Sequence, residues 1–334
     1  GDTLGWESID RTSPNLGGAA TSGSIDGTGA RAIFAGGFIA GSPANPCFNN
    51  VDALTIATLG NTIDFNNLTA SLCGGFSVGD RTRVIHAGGM GPVSHPGPSV
   101  DTIQYANFAS QSDYVDGGGD LTGVRAAGAA LCDSTRGIAA GKGYPGYAAT
   151  IDYWTMQSTG DAKDFGDIHT SKGWSSGLMS STRGLIAGGL YCCPGVSYNN
   201  IEYVTIQTTG DAVDFGDMTA AKYETAPMGN ATRGILAGGS PTLDVIEYIT
   251  ISTLGNATDF GDLDSLNGSN KYSASSPTRG VVGGGYSSPT PYSNIIEYIQ
   301  IATTGNAKDF GDFINFERRS GSGHGGISNA HGGL

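Results

Sequence analysis

The sequence predicts an all-β propeller of about seven four-stranded blades, with six as the alternative count, and three observations carry that prediction. A motif of about 50 residues recurs six times along the chain. Each copy holds short runs of β-branched and aromatic residues set apart by turn-forming steps. Glycine supplies 56 of the 334 residues, about 17% against an average near 7%, and neither a collagen period nor a disorder-level proline content accompanies it.

The repeat is clearest at its anchor, TRGLIAGG at 182–189, TRGILAGG at 232–239 and TRGVVGGG at 278–285, with weaker copies at 30–37, 82–89 and 135–142. The anchor arginines are Arg31, Arg83, Arg136, Arg183, Arg233 and Arg279, spaced by 52, 53, 47, 50 and 46 residues. Before each anchor lies a stretch of small residues, such as 222–231 or 271–277, that can supply a first strand. The anchor itself is a second strand ending in Gly-Gly. A third follows, IEYVTI at 201, IEYITI at 246 and IEYIQI at 296, apolar on both faces as expected of a sheet covered on both sides. The Thr-Gly-Asp or Thr-Gly-Asn step after it offers the positive φ of a hairpin turn, and DFGD then reads as a fourth strand. Four short strands per 50 residues make a propeller blade.

These residues resemble the kelch repeat of β-propellers. The diglycine is matched at Gly36-Gly37, Gly88-Gly89, Gly188-Gly189, Gly238-Gly239 and Gly284-Gly285, and is broken at Gly141-Lys142. Tyr203 and Phe215 stand farther apart than the kelch aromatic pair, so the repeat is kelch-like rather than standard. The fuller string, TRGIxAGG followed by IEYxTIxTTGDAxDFGDL, resembles repeat proteins of marine bacteriophages, including those that infect cyanobacteria. Over nearly the whole chain, that resemblance implies a virion component of the tail or its fibres.

The chain ends bear on the blade count. Residues 1–10 align with 210–219, placing Trp6 on Phe215, and 328–334 align with the start of an anchor, placing His331 on Arg279. The whole of 1–334 therefore reads as one propeller whose last, composite blade is built from 1–10 and 320–334 and closes the ring.

Charge narrows the partners. Thirty acidic against 17 basic residues give a net charge of −13, which argues against nucleic acid, because phosphate binding needs clustered Lys and Arg. The longest apolar stretches are about half a membrane span and are broken by glycine, so no membrane insertion is expected. With neither an initiator methionine nor a charged-then-apolar leader, Gly1 reads as a processed end or as the start of a portion of a longer chain. Cys47, Cys73, Cys132, Cys192 and Cys193 form no CxxC and no paired spacing, so the expectation is thiols without a framework essential for folding, a bridge between variable loops being left open.

No chemistry-bearing motif stands out. The histidines at 86, 95, 169, 324 and 331 lie in different repeats without metal-ligand spacing, and no GxSxG elbow or P-loop is present. Asp211, Asp214 and Asp217 invite a calcium reading, but residues three apart on a strand point to opposite faces, so turn capping is favoured. The anchor arginines are expected to pair with the Asp214 type between strands or blades. The expectation is thus no enzyme, no cofactor and no metal.

The varying parts point to partners. Between diglycine and third strand the insert runs 13, 13, 8, 11, 6 and 10 residues through the six copies, whereas the opposite hairpin turn barely changes. A rigid scaffold with one variable face is how loops carry recognition. That face would bear Phe48, His95, Tyr144, Tyr147, Tyr191, Tyr198, Tyr286 and Tyr292, joined by Trp174, Tyr223 and Tyr272 from the loops between blades. Aromatic packing between blades competes with binding for these residues. The expected function is a non-enzymatic phage virion protein, a tail or fibre part within a larger assembly, that attaches to a host surface glycan or protein. Alternatives are a structural decoration that docks to other virion proteins, and a secreted or cell-surface carbohydrate-binding lectin.

Overall fold

The computed structural model describes residues 30–38, 47–91, 97–143, 145–192, 195–241, 244–264, 269–285, 293–314 and 326–334. Among these, the repeat folds into six four-stranded antiparallel sheets. Blade two orders its strands Phe76–Gly79, Arg83–Met90, Ser99–Asn107 and Val115–Asp120 from the axis outward. Blade three runs Ala129–Cys132, Arg136–Lys142, Ala148–Thr155 and Lys163–Asp167. Blade four runs Ser176–Met179, Arg183–Ala187, Asn200–Thr205 and Val213–Asp217, with a small extra hairpin, Leu190–Tyr191 against Val196–Ser197. Blade five is Ala226–Gly229, Arg233–Ala237, Val245–Thr250 and Thr258–Asp262. Blade six is Tyr272–Ser275, Arg279–Gly283, Ile295–Gln300 and Lys308–Asp312.

Blade one closes the ring and corrects the blade count. Its second, third and outer strands are Arg31–Ala35, Asn50–Thr55 and Ile63–Asn67, but its inner strand comes from the far end of the chain, Gly326–Ser328. Among the described residues this C-terminal strand completes the first of six blades, the alternative count, and does not begin a seventh. The inner strands contact one another in an unbroken circle from blade one through six and back. The junction reproduces the internal repeat closely. In blades two to six the turn after the inner strand is capped by Asp80, Asp133, Ser180, Asn230 or Ser276, which accepts the N–H of the anchor arginine at 2.7 to 3.1 Å. Asn329 Oδ1 does the same for Arg31 at 2.9 Å from 298 positions away. The expected partner segment 1–10, with Trp6, and residues 320–325 lie outside the described residues.

Small residues on the inner strands let the blades converge. A Cβ on Gly177 would come within 2.0 Å of the Ala130 carbonyl oxygen of the preceding blade. The diglycine has a different cause. Gly188 and Gly189 both take positive φ, 60° and 118°, and a Cβ on Gly188 would meet the Lys222 carbonyl oxygen at 2.4 Å. Apolar side chains of the second and third strands, such as Leu185, Ile201, Leu236 and Ile249, fill the space between blades.

The recurring polar residues are consumed by the ring itself. Each anchor arginine donates from Nη1 to a backbone carbonyl of the next blade: Arg31 to Phe108, Arg83 to Met156, Arg136 to Ile206, Arg183 to Ile251, Arg233 to Ile301 and Arg279 to Ile56. The guanidinium also lies over an aromatic of its own blade, 4.5 Å from the Tyr203 ring centre for Arg183, and Tyr203 meets Phe215 edge-on. This replaces the expected Arg–Asp pairing. The aspartates act elsewhere: Asp211 Oδ1 accepts the Asp167 N–H of the preceding blade at 3.0 Å, and Asn256 and Asn306 repeat the contact. Gly210 and Ala212 donate to the Phe165 and Asp167 carbonyls beside it, so each hairpin turn extends the outer strand of the blade before it.

A second recurring bond links blades near the opposite end. The third strand carries a buried polar residue at one position, Asp52, Gln104, Asp152, Glu202, Glu247 and Glu297. The loop arriving from the preceding blade offers a buried cation: Arg125 to Asp152 at 3.0 Å, Lys172 to Glu202 at 3.5 Å and Lys222 to Glu247 at 3.0 Å. Lys271 faces Glu297 and Glu224, and burial lowers its pKa to about 7.

Candidate functional site

The loops between second and third strands and the loops between blades open on one end of the ring and are stitched together there. Isolated β-bridges join Cys73 to Met90, Gly173 to Leu190 and Tyr223 to Ser240. The anchor arginines and the uniform hairpin turns occupy the other end.

On the variable end, blades three and four bring three of the expected aromatics together. The Tyr147 ring lies 5.6 Å from Trp174 and 5.0 Å from Tyr191, centre to centre, at tilted angles of 52° and 54°. Tyr191 stands on the extra hairpin and is 39% exposed, beside the exposed Val196. The indole is seated deliberately. A Cβ on Gly143 would lie 2.9 Å from the Trp174 ring, so that glycine makes its bed.

Trp174 also has a left-handed backbone, φ 51°, an uncommon conformation for a bulky residue. Its equivalents Ala127, Glu224 and Asn270 share the conformation at φ 57° to 61°. The reason is a belt of backbone hydrogen bonds around the channel mouth: Ala127 N donates to Gly74 O, Trp174 N to Ala127 O and Glu224 N to Trp174 O, at 2.7 to 2.9 Å. Belt geometry therefore holds the indole at the rim, and strain of this kind clusters at functional positions.

The other expected residues divide. Tyr198 is half-buried, with Lys172 Nζ 5.7 Å from its ring centre. Phe48 and Tyr223 are half-buried in the loops of blades one and five. Tyr272 is a correction. It is fully buried in the innermost strand of blade six, packed against Phe34 and Phe313 with its hydroxyl donating to Gly36 O, because here the repeat places an aromatic inside the closing junction. His95, Tyr144, Tyr286 and Tyr292 lie outside the described residues.

The axis is no alternative pocket for a sizeable ligand. Its cavity, lined by Ser77, Ala130, Leu178, Met228 and Ile327, is about 40 Å³, room for a water or so. His331 blocks it on the turn side, donating from Nε2 to Gly79 O at 2.6 Å and accepting the Gly333 N–H on Nδ1. Burial lowers the His331 pKa to about 4, and that of His86, which meets Ser77 Oγ at 2.9 Å, likewise to about 4. A shallow 270 Å³ depression on the turn face, at Arg81, Asn230, Thr232, His331 and Leu334, has no Phe, Tyr or Trp in its lining. Among the described residues no three His, Cys, Asp or Glu side chains converge as a metal group would need.

Sequence reasoning missed the buried cation series, although Lys172, Lys222 and Lys271 stand in the same inter-blade loops as Trp174, Tyr223 and Tyr272. No protein-family model matches the chain, and no curated protein matches it.

Proposed function

We propose that the protein is a non-enzymatic recognition module of a bacteriophage virion, a tail or fibre component that attaches to a host surface through its variable-loop face. The cluster of half-buried Tyr147 and Trp174 with exposed Tyr191 carries this reading. The residues that recur are spent on joining blades, so selection for a partner is left to the loops that differ, and only those of blades three and four gather rings into one described patch. Planar rings stack on the apolar faces of sugars and serve as low-entropy anchors at protein interfaces. The phage assignment rests on the resemblance of the repeat string. The net charge of −13 favours a neutral glycan or a protein over a strongly anionic polysaccharide, which long-range repulsion would keep away.

The test replaces Tyr147, Trp174 and Tyr191 by alanine together, with circular dichroism to establish that the β fold survives. Particles carrying the variant should assemble and fail to adsorb to host cells. If incorporation fails instead, the face docks to another virion protein and the molecule is a structural subunit. If neither changes, the face is wrong.

A further inference from the structure

Cys47 and Cys73 sit in two different connecting segments, one in the variable loop of blade one and one in the loop entering blade two. Each is fixed by backbone pairing, Cys47 to Phe38 and Cys73 to Met90, the latter with hydrogen bonds of 2.9 and 2.7 Å. Their sulfurs face each other at 2.6 Å in a small apolar cluster with Phe38, Met90, Ala126 and Ala127. The half-buried Trp174 packs against that same cluster, so the cysteine pair lies in the floor beneath its indole.

We propose that Cys47 and Cys73 form a disulfide that staples the variable loop of blade one to the loop entering blade two, closing when the protein meets a small-molecule disulfide outside a reducing compartment. At 2.6 Å the two sulfurs stand only about half an ångström beyond disulfide bond length, so a small shift joins them. Cys47 is 6% exposed and Cys73 1%, which makes Cys47 the point of entry. Hydrogen bonding to Cys47 and burial hold the Cys73 thiol well above its ordinary pKa, so Cys73 is not the first to attack, and the hydrogen bond that raises it is gone once Cys47 is in a mixed disulfide.

With oxidised glutathione as the oxidant, the Cys47 thiolate attacks one glutathione sulfur and releases the other half as a thiolate. The Cys73 thiolate then attacks Cys47 Sγ and expels the second. Two protein thiols and one glutathione disulfide become one protein disulfide and two glutathione thiols, with both protons carried off on glutathione. A reducing cytosol keeps such pairs open, so the bridge would mark exposure to oxidising surroundings. The inference does not depend on the identity of the surface partner.

The full chain is incubated with oxidised glutathione, denatured, alkylated with iodoacetamide, digested and mapped by mass spectrometry. The expected result is a linked pair of peptides carrying Cys47 and Cys73, with Cys132 alkylated. In the Cys47→Ser variant Cys73 should be recovered fully alkylated. Reduction of the bridged wild type should lower its Tm by about 5 °C without unfolding it, and leave the variant unmoved. Recovery of both Cys47 and Cys73 as alkylated thiols after oxidation, or Cys47 bonded to Cys192 or Cys193, would overturn the proposal.

Discussion

Replacing Lys222 by methionine should be among the most damaging single changes away from the hydrophobic core. Lys222 Nζ stands 3.0 Å from Glu247 Oε1, and the two side chains are 1% and 0% exposed. Glu247 Oε2 is satisfied by the Thr219 N–H at 3.0 Å and the Thr219 hydroxyl at 2.5 Å, but Oε1 has only the lysine charge beside it. Methionine fills the space of the lysine stem and removes the charge, leaving a carboxylate buried without a counterion. Breaking a buried pair in this way costs about 3–5 kcal/mol. For a chain of 334 residues that corresponds to a fall in Tm of roughly 6 °C. Urea unfolding followed by circular dichroism measures it. The companion variant Lys222→Met with Glu247→Gln keeps the Thr219 contacts and removes the stranded charge, so it should be more stable than Lys222→Met alone by about 2 kcal/mol. If Lys222→Met loses less than about 1 kcal/mol and the second change brings no recovery, the pair is not buried between blades and the inter-blade loops are misplaced.

Other consequences can be measured with the same protein. His86 and His331 are held neutral by burial with pKa values lowered to about 4, so their contribution is complete above the ordinary histidine pKa of 6.5 and is lost as pH falls toward 4. Each can withdraw up to about 3 kcal/mol, and His331→Gln should flatten the acid limb of the stability curve; an unchanged limb would place the ring outside the channel. Deleting residues 326–334 removes the inner strand of blade one and bares the Arg31–Ala35 edge, with Ile33 and Phe34. The truncated chain should unfold less cooperatively and self-associate on size exclusion, and a monomer of wild-type stability would refute closure at this junction.

Much of the fold could be read from the repeat. TRGILAGG forecasts Arg233–Ala237, IEYITI forecasts Val245–Thr250, and the small residues before each anchor do form the inner strand. The blade count was less legible. A three-residue strand such as Gly326–Ser328 carries almost no pattern, and whether it begins a seventh blade or completes the first depends on how tightly the inner strands curve. That curvature is set by contacts such as Gly177 against Ala130. The arginine partners were hidden for another reason: a backbone carbonyl has no sequence signature, so Ile251 O could not be found from Arg183. The Lys222 and Glu247 pairing was missed, because it joins an inter-blade loop to the third strand of the blade that follows. The aromatic face was legible as a set of loops, yet which rings meet depends on local geometry. Gly143 and the belt at Trp174 gather three of them, whereas Tyr272 has the same loop context and turns inward.

The orientation of the ring in an assembled particle tests the functional account most directly. An electron-microscopy reconstruction of purified particles containing the protein should show the propeller with Tyr147, Trp174 and Tyr191 turned outward and the anchor-arginine end toward the particle. A reconstruction in which those three rings are buried against another virion protein, or particles that lack the propeller, would contradict the attachment reading.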